Sequence, residues 1–156
     1  MKINFKTLIV SVLIPLAVGV VSGLLSMSGI RAFGDLNMPP LSPPAFLFPI
    51  VWTILYILMG ISSYLVIQSN STGETTKRAF KLYALQLFFN FFWSIIFFNL
   101  ECYGIAFLWL LVLLALIIAT SVSFFKINKL AGLLMIPYIL WVTFAGYLNL
   151  GVAILN

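Results

Sequence analysis

Five long apolar runs divide this 156-residue chain, at 7–27, 46–67, 80–100, 105–125 and 130–155. Lys81, at the start of the third, is the single charged side chain inside them. A helix that crosses a bilayer core needs about 20 such residues, because only its own carbonyls can satisfy its N–H groups there. The expected class is therefore all-α, an integral membrane bundle of five transmembrane helices in one domain, residues 1–156. The chain is 63% hydrophobic and 7% charged, against about 25% charged in a soluble domain. Too little polar surface is left to solvate a globule. A membrane β-barrel is not the expected class, since its strands alternate in polarity over about ten residues and these runs are continuous. Lys2 and Lys6 before the first run also suit a signal peptide, with Ser22-Gly23 or Ser26 near a cleavage site. The length of the run and the four spans after it favour a span.

The net charge of +5 does not mark a nucleic-acid surface. Apart from Lys81 at the start of the third run, the basic residues lie before or between the apolar runs, not in a groove. Lys2, Lys6, Lys77, Arg78, Lys81, Lys126 and Lys129 all fall on one side of a five-span chain, and Arg31 alone on the other, with Asp35 and Glu101. Basic loops stay cytoplasmic. The expected topology in the cell membrane has the N-terminus in the cytoplasm and the first loop and C-terminus outside.

The stretch from Met38 to Val66 is the most irregular. Pro39-Pro40 and Pro43-Pro44 precede an uncharged run, and proline cannot occupy a helix interior without losing a donor and clashing with the preceding turn. Ser42 before Pro43-Pro44 reads as a helix cap, and Pro49 should bend the second span. Beyond it Trp52, Tyr56, Met59 and Ser63 recur at helical spacing. An ordered loop feeding an aromatic face suggests a lid over a pocket. In the first span Pro15 predicts a kink, and Gly19 and Gly23 form a small-xxx-small pair for helix packing within the chain or for a dimer face. Asn70 and Gly73 mark the turn in the polar linker 68–78.

Polar groups inside spans must find partners or a function. Gln86, Asn90 and Trp93 share one face of the third span, and Tyr138, Trp141, Ala145 and Asn149 recur along the fifth. With Trp52 and Tyr56 of the second, these stripes would line one aromatic cavity with a few amide and indole donors and a small residue leaving room. The same stripes also suit interhelical bonds and interfacial anchoring. Trp109 is placed on a lipid face. Catalytic constellations are nearly absent: there is no histidine, Asp35 and Glu101 are far apart in sequence, and Cys102 sits alone beside a turn. Neither an intrachain disulfide nor a metal centre of His/Cys type is expected.

Three segments together resemble the TspO/MBR family, the translocator proteins. They are Ser42-Pro43-Pro44 with Pro49-Ile50-Val51-Trp52-Thr53-Ile54-Leu55-Tyr56 and Met59-Gly60; Gln86-Leu87-Phe88-Phe89-Asn90 with Trp93; and Pro137-Tyr138-Ile139-Leu140-Trp141 with Phe144-Ala145 and Leu148-Asn149. The resemblance implies a five-helix membrane protein, often a homodimer, that binds a tetrapyrrole such as protoporphyrin IX or haem under its first loop. The implied ligand-binding residues are Trp52, Tyr56, Asn90, Trp93, Trp141 and Ala145, with Phe33, Leu41, Pro43 and Pro44 in the loop lid. Sensing, sequestering or translocating porphyrin is the implied function; light- or oxygen-dependent porphyrin degradation, or transport of another apolar molecule, is the alternative. Where the family's first loop carries tryptophan-tyrosine and lysine-proline-x-tryptophan, this chain has Phe33-Gly34 and Met38-Pro39-Pro40-Leu41. Loss of those tryptophans argues against photochemical breakdown. No Lys or Arg follows Tyr147, which removes the family's sterol-recognition pattern. Without histidine, haem iron lacks its commonest protein ligand, and a metal-free porphyrin is the expected tetrapyrrole.

Overall fold

The computed structural model describes residues 2–156. Five helices among them are long and apolar enough to cross a membrane: Phe5–Leu25, Leu47–Gln68, Glu74–Asn99, Tyr103–Ile127 and Lys129–Leu155. The first is α1, followed by a short helix α2, Met27–Ala32, and a 3-10 turn, Phe33–Asp35. The second and third spans are α3, Leu47–Gln68, and α4, Glu74–Ser94, which ends in a π-helical turn, Ile95–Asn99. The fourth is α5, Tyr103–Ile127. The fifth is broken into α6, Lys129–Leu133, and α7, Ile136–Leu155.

The helices alternate in direction, as cross-links at both ends show. At one end Asn4 N donates to the Tyr64 hydroxyl, and Asn128 Nδ2 to Ser69 Oγ. At the first-loop end Asn99 Nδ2 donates to the Leu25 carbonyl, tying α4 to α1. Apolar side chains such as Leu108, Leu140 and Ile154 cover the outer surface, as lipid requires.

Prolines account for most differences from the sequence expectations. Ser42 does not cap a helix; its Oγ donates to the Pro39 carbonyl at 2.7 Å, and α3 begins only at Leu47. Pro49 therefore falls in the first turn of α3, where the missing N–H has no partner to lose. Pro137 sits likewise at the start of α7, just after the break at Leu134 and Met135. Pro15 lies inside α1. The 68–78 linker is shorter than its polarity suggests, because Glu74 to Arg78 already belong to α4. The turn itself uses Asn70 and Gly73, both at positive φ.

In lipid, helices gain little by burying apolar surface, and small residues that let backbones approach set the contacts. Gly60 is such a residue. A Cβ there would collide with the Val12 backbone of α1, and one at Gly19 with the Tyr56 ring. Gly19 thus serves packing between α1 and α3 within the chain. We expect Gly60→Ala to cost about 1–3 kcal/mol through overpacking. Gly104→Ala, which meets open space, should shift stability by less than about 1 kcal/mol. Thermal unfolding in detergent compares the two; equal melting temperatures would contradict the α1–α3 contact.

Candidate functional site

The centre of the bundle holds a chain of buried polar side chains. The Tyr56 hydroxyl of α3 donates to Asn90 Oδ1 at 2.7 Å. Asn90 Nδ2 of α4 donates to the Tyr138 hydroxyl of α7 at 2.7 Å, and that hydroxyl donates to Gln86 Oε1 at 2.8 Å. Gln86 Nε2 completes the line on Met59 Sδ at 3.7 Å. A second set lies nearer the first loop: Trp93 Nε1 donates to Asn149 Oδ1 at 3.1 Å, and Asn149 Nδ2 to the Tyr103 carbonyl at 2.8 Å. Buried polar groups that go unpaired are costly, so these bonds fix the mutual rotation of α3, α4, α5 and α7.

On the first-loop side of this network the helices enclose a cavity of about 730 Å³, inside the roughly 300–1,000 Å³ typical of small-molecule sites. Its wall combines Gly19 and Gly23 of α1, Phe48, Trp52 and Tyr56 of α3, Asn90, Trp93 and Phe97 at the end of α4, and Ala145 and Asn149 of α7. Most of the polar atoms are spoken for within the protein. Ser22 Oγ donates to the Phe91 carbonyl and Thr53 Oγ1 to that of Pro49. Each amide atom of Asn90 already has a partner. Among the described residues the Trp52 indole has no protein acceptor, unlike those of Trp93 and Trp109. Val20, Leu24, Pro49 and Thr53 line the cavity and are exposed, so it is open between α1 and α3.

The structure brings together Trp52, Tyr56, Asn90, Trp93 and Ala145 on this wall, and Phe33 of the first loop joins them. Trp141 stands off the wall. It packs against Phe48 at a centroid distance of 5.8 Å and against Phe144 at 5.7 Å, and its buried Nε1 has no partner. Phe48 takes its place on the lining. Leu41, Pro43 and Pro44 also lie off the wall, and Leu41 is 86% exposed at a φ of 67°. Of the expected lid residues only Phe33 lines the cavity, and Gly34 and Met38 of the loop join it there. Phe33 sits among Phe48, Phe97 and Phe98 at centroid distances of 5.6–6.3 Å. Ser63 bonds the Gly60 carbonyl in the core. Trp109 does not face lipid alone: it stacks on Phe89 at 4.2 Å and donates to the Phe89 carbonyl, joining α5 to α4. Phe48 and Phe97 went unnoticed in the sequence, although each lies four residues from a wall tryptophan and so shares its helix face.

The loop is held over the cavity from the end of α7. Asn37 N donates to Asn156 Oδ1 and Asn156 Nδ2 to the Asn37 carbonyl, both at 3.0 Å. The Tyr147 hydroxyl donates to the Pro40 carbonyl at 2.7 Å. Pro39 is buried against Gly151, where a Cβ would lie 2.5 Å from the proline ring.

Residues 11–155 match the model of the TspO/MBR family. The chain is 36% identical over 124 residues to the tryptophan-rich sensory protein of Cereibacter sphaeroides, covering 80% of this chain and 76% of that one. It is 31% identical over 154 residues to the tryptophan-rich protein TspO of Archaeoglobus fulgidus, covering 98% and 99%. A translocator protein of Bos taurus is 34% identical over 124 residues, covering 78% and 72%. The chain belongs to the TspO/MBR family. As a TspO/MBR protein it is a multi-pass membrane protein, and the cavity under its first loop is the candidate site.

Two outcomes test this geometry. Tyr138→Phe strands Asn90 Nδ2 and Gln86 Oε1, each at about 1–3 kcal/mol, so its melting temperature in detergent should fall well below that of Tyr147→Phe, whose bond is exposed. Gly151→Val should push Pro39 away and release the loop. Amide exchange across residues 33–42 is expected to quicken about tenfold, while exchange in α5 is unchanged.

Proposed function

We propose that this protein binds a porphyrin-type tetrapyrrole in the cavity, and so senses, sequesters or translocates it. The observation that carries the reading is the cavity itself: about 730 Å³, walled by Phe48, Trp52, Trp93 and Phe97, with Ala145 and Gly23 leaving flat space between them. Aromatic faces suit a planar conjugated ligand, and the Trp52 indole supplies a donor. Histidine is absent from the chain, so a metal-free macrocycle fits this wall better than one that needs an imidazole on its iron. The opening between α1 and α3 faces the apolar flank, which suits a ligand that partitions from the bilayer. The names of the relatives, a sensory protein and a translocator protein, agree with sensing or translocation. The end carrying Lys2, Lys6, Lys77, Arg78, Lys81, Lys126 and Lys129 is proposed to face the cytoplasm.

The test is a titration of protoporphyrin IX into detergent-purified protein, followed by tryptophan quenching. Wild type should quench saturably. Ala145→Phe should lose at least about tenfold in affinity as the ring fills the space, while melting near the wild-type temperature. Leu140→Phe, on the exposed outer surface, should bind as wild type. Equal affinity in all three proteins would remove the ligand from this cavity.

A further inference from the structure

We infer that the outer face of α4, at the basic end of the bundle, seats the headgroup and one acyl chain of an anionic phospholipid. The inference is independent of what the cavity holds. Lys77, Lys81, Leu85 and Phe88 follow one another at spacings of four, four and three, so they form one stripe along α4. All four are exposed, Leu85 at 44% and Phe88 at 51%. The stripe is cationic in the first two turns of the helix and apolar directly beneath, while the core face carries the buried Gln86 and Asn90. Arg78, also exposed, stands beside Lys77. The neighbouring helix brings a further cation to the same level. Phe80 and Phe124 pack at a centroid distance of 5.8 Å, which sets the start of α4 against the last turn of α5, where Lys126 is exposed.

Little within the protein neutralises this cluster. Glu74 is the one acidic side chain at that end, since Asp35 and Glu101 lie at the first-loop end. It pairs with Lys77 at 3.1 Å, the single ion pair among the described residues. Arg78, Lys81 and Lys126 keep their donors free of protein acceptors. A solvated charge by itself asks for no ligand. Here three such charges stand over an apolar stripe that faces acyl chains. A soluble anion would use the charges and leave the stripe unused. A phospholipid uses both: its phosphate accepts from the Arg78 fork and the lysine ammonium groups, and a chain lies along Leu85 and Phe88. The long stems of Lys and Arg let their heads reach headgroup level, where anionic lipid attracts them. A zwitterionic headgroup carries its own cation, so a cluster of net positive charge selects lipids of net negative charge. The first-loop end has no counterpart, because Arg31 is its one basic residue and shares it with Asp35 and Glu101.

The test titrates phosphatidylglycerol, phosphatidylcholine and glycerol phosphate into the detergent-purified protein. Bound lipid is counted by native mass spectrometry, and the melting temperature is followed in parallel. Phosphatidylglycerol should bind wild type saturably, about tenfold more tightly than phosphatidylcholine, and should raise the melting temperature as it binds. Arg78→Gln with Lys81→Gln should bring the two lipids close to equal affinity. Without lipid this double variant should melt as wild type, because both side chains are exposed and bond nothing in the protein. Lys2→Gln with Lys6→Gln removes the same charge from the start of α1 and should keep the preference. Equal binding of the two lipids by wild type would overturn the inference. An equal loss of preference in both double variants would spread the attraction over the whole basic end and overturn the assignment to α4. Glycerol phosphate raising the melting temperature as far as phosphatidylglycerol would make this an anion site with no use for the stripe, and would overturn it too.

Discussion

The hydrogen-bond line from Tyr56 through Asn90 and Tyr138 to Gln86 is what the rest of the bundle depends on. Inside a bilayer the hydrophobic effect drives helices out of water but does little to choose their neighbours. Polar side chains do, because an unpaired donor or acceptor in a low-dielectric interior is costly. Tyr138 and Gln86 are both fully buried, so α4 and α7 have little freedom to rotate about their axes. With that rotation fixed, Trp93, Phe97, Ala145 and Asn149 must face one another, and the wall of the cavity follows.

The cavity is as much a result of what the helices lack as of what they carry. α1 and α3 approach through Gly19 and Gly60. Toward the first loop, Gly23 and Ala145 present almost no side chain, and the aromatics are spaced around a gap they do not fill. The polar network forms its floor and takes up most of the polar valence. The Trp52 indole, which has no acceptor within the protein, is left as a free donor on the wall.

The first loop gains its order from tertiary contacts. Its prolines limit the backbone without setting a position, and Leu41 holds a left-handed φ that a leucine rarely adopts. Asn37, Pro39 and Pro40 are located by Asn156, Gly151 and Tyr147 of α7. Those partners lie more than a hundred residues away in the chain. This explains why Leu41, Pro43 and Pro44, which the resemblance put in the lid, lie off the wall, while Met38 and Gly34 cover it.

The sequence by itself determined the class, the five spans and the faces on which Trp52, Asn90, Trp93 and Ala145 lie. Apolar run length and helical spacing are local properties, and a bilayer leaves few alternatives for satisfying the backbone. It could not decide which residue of an aromatic face reaches the cavity and which is covered by a neighbour. Phe48 displaced Trp141 from the wall, and Phe89 drew Trp109 into the α4–α5 contact. Those outcomes depend on where a second helix sits, and that is settled by close glycine contacts and buried hydrogen bonds between residues far apart in the chain.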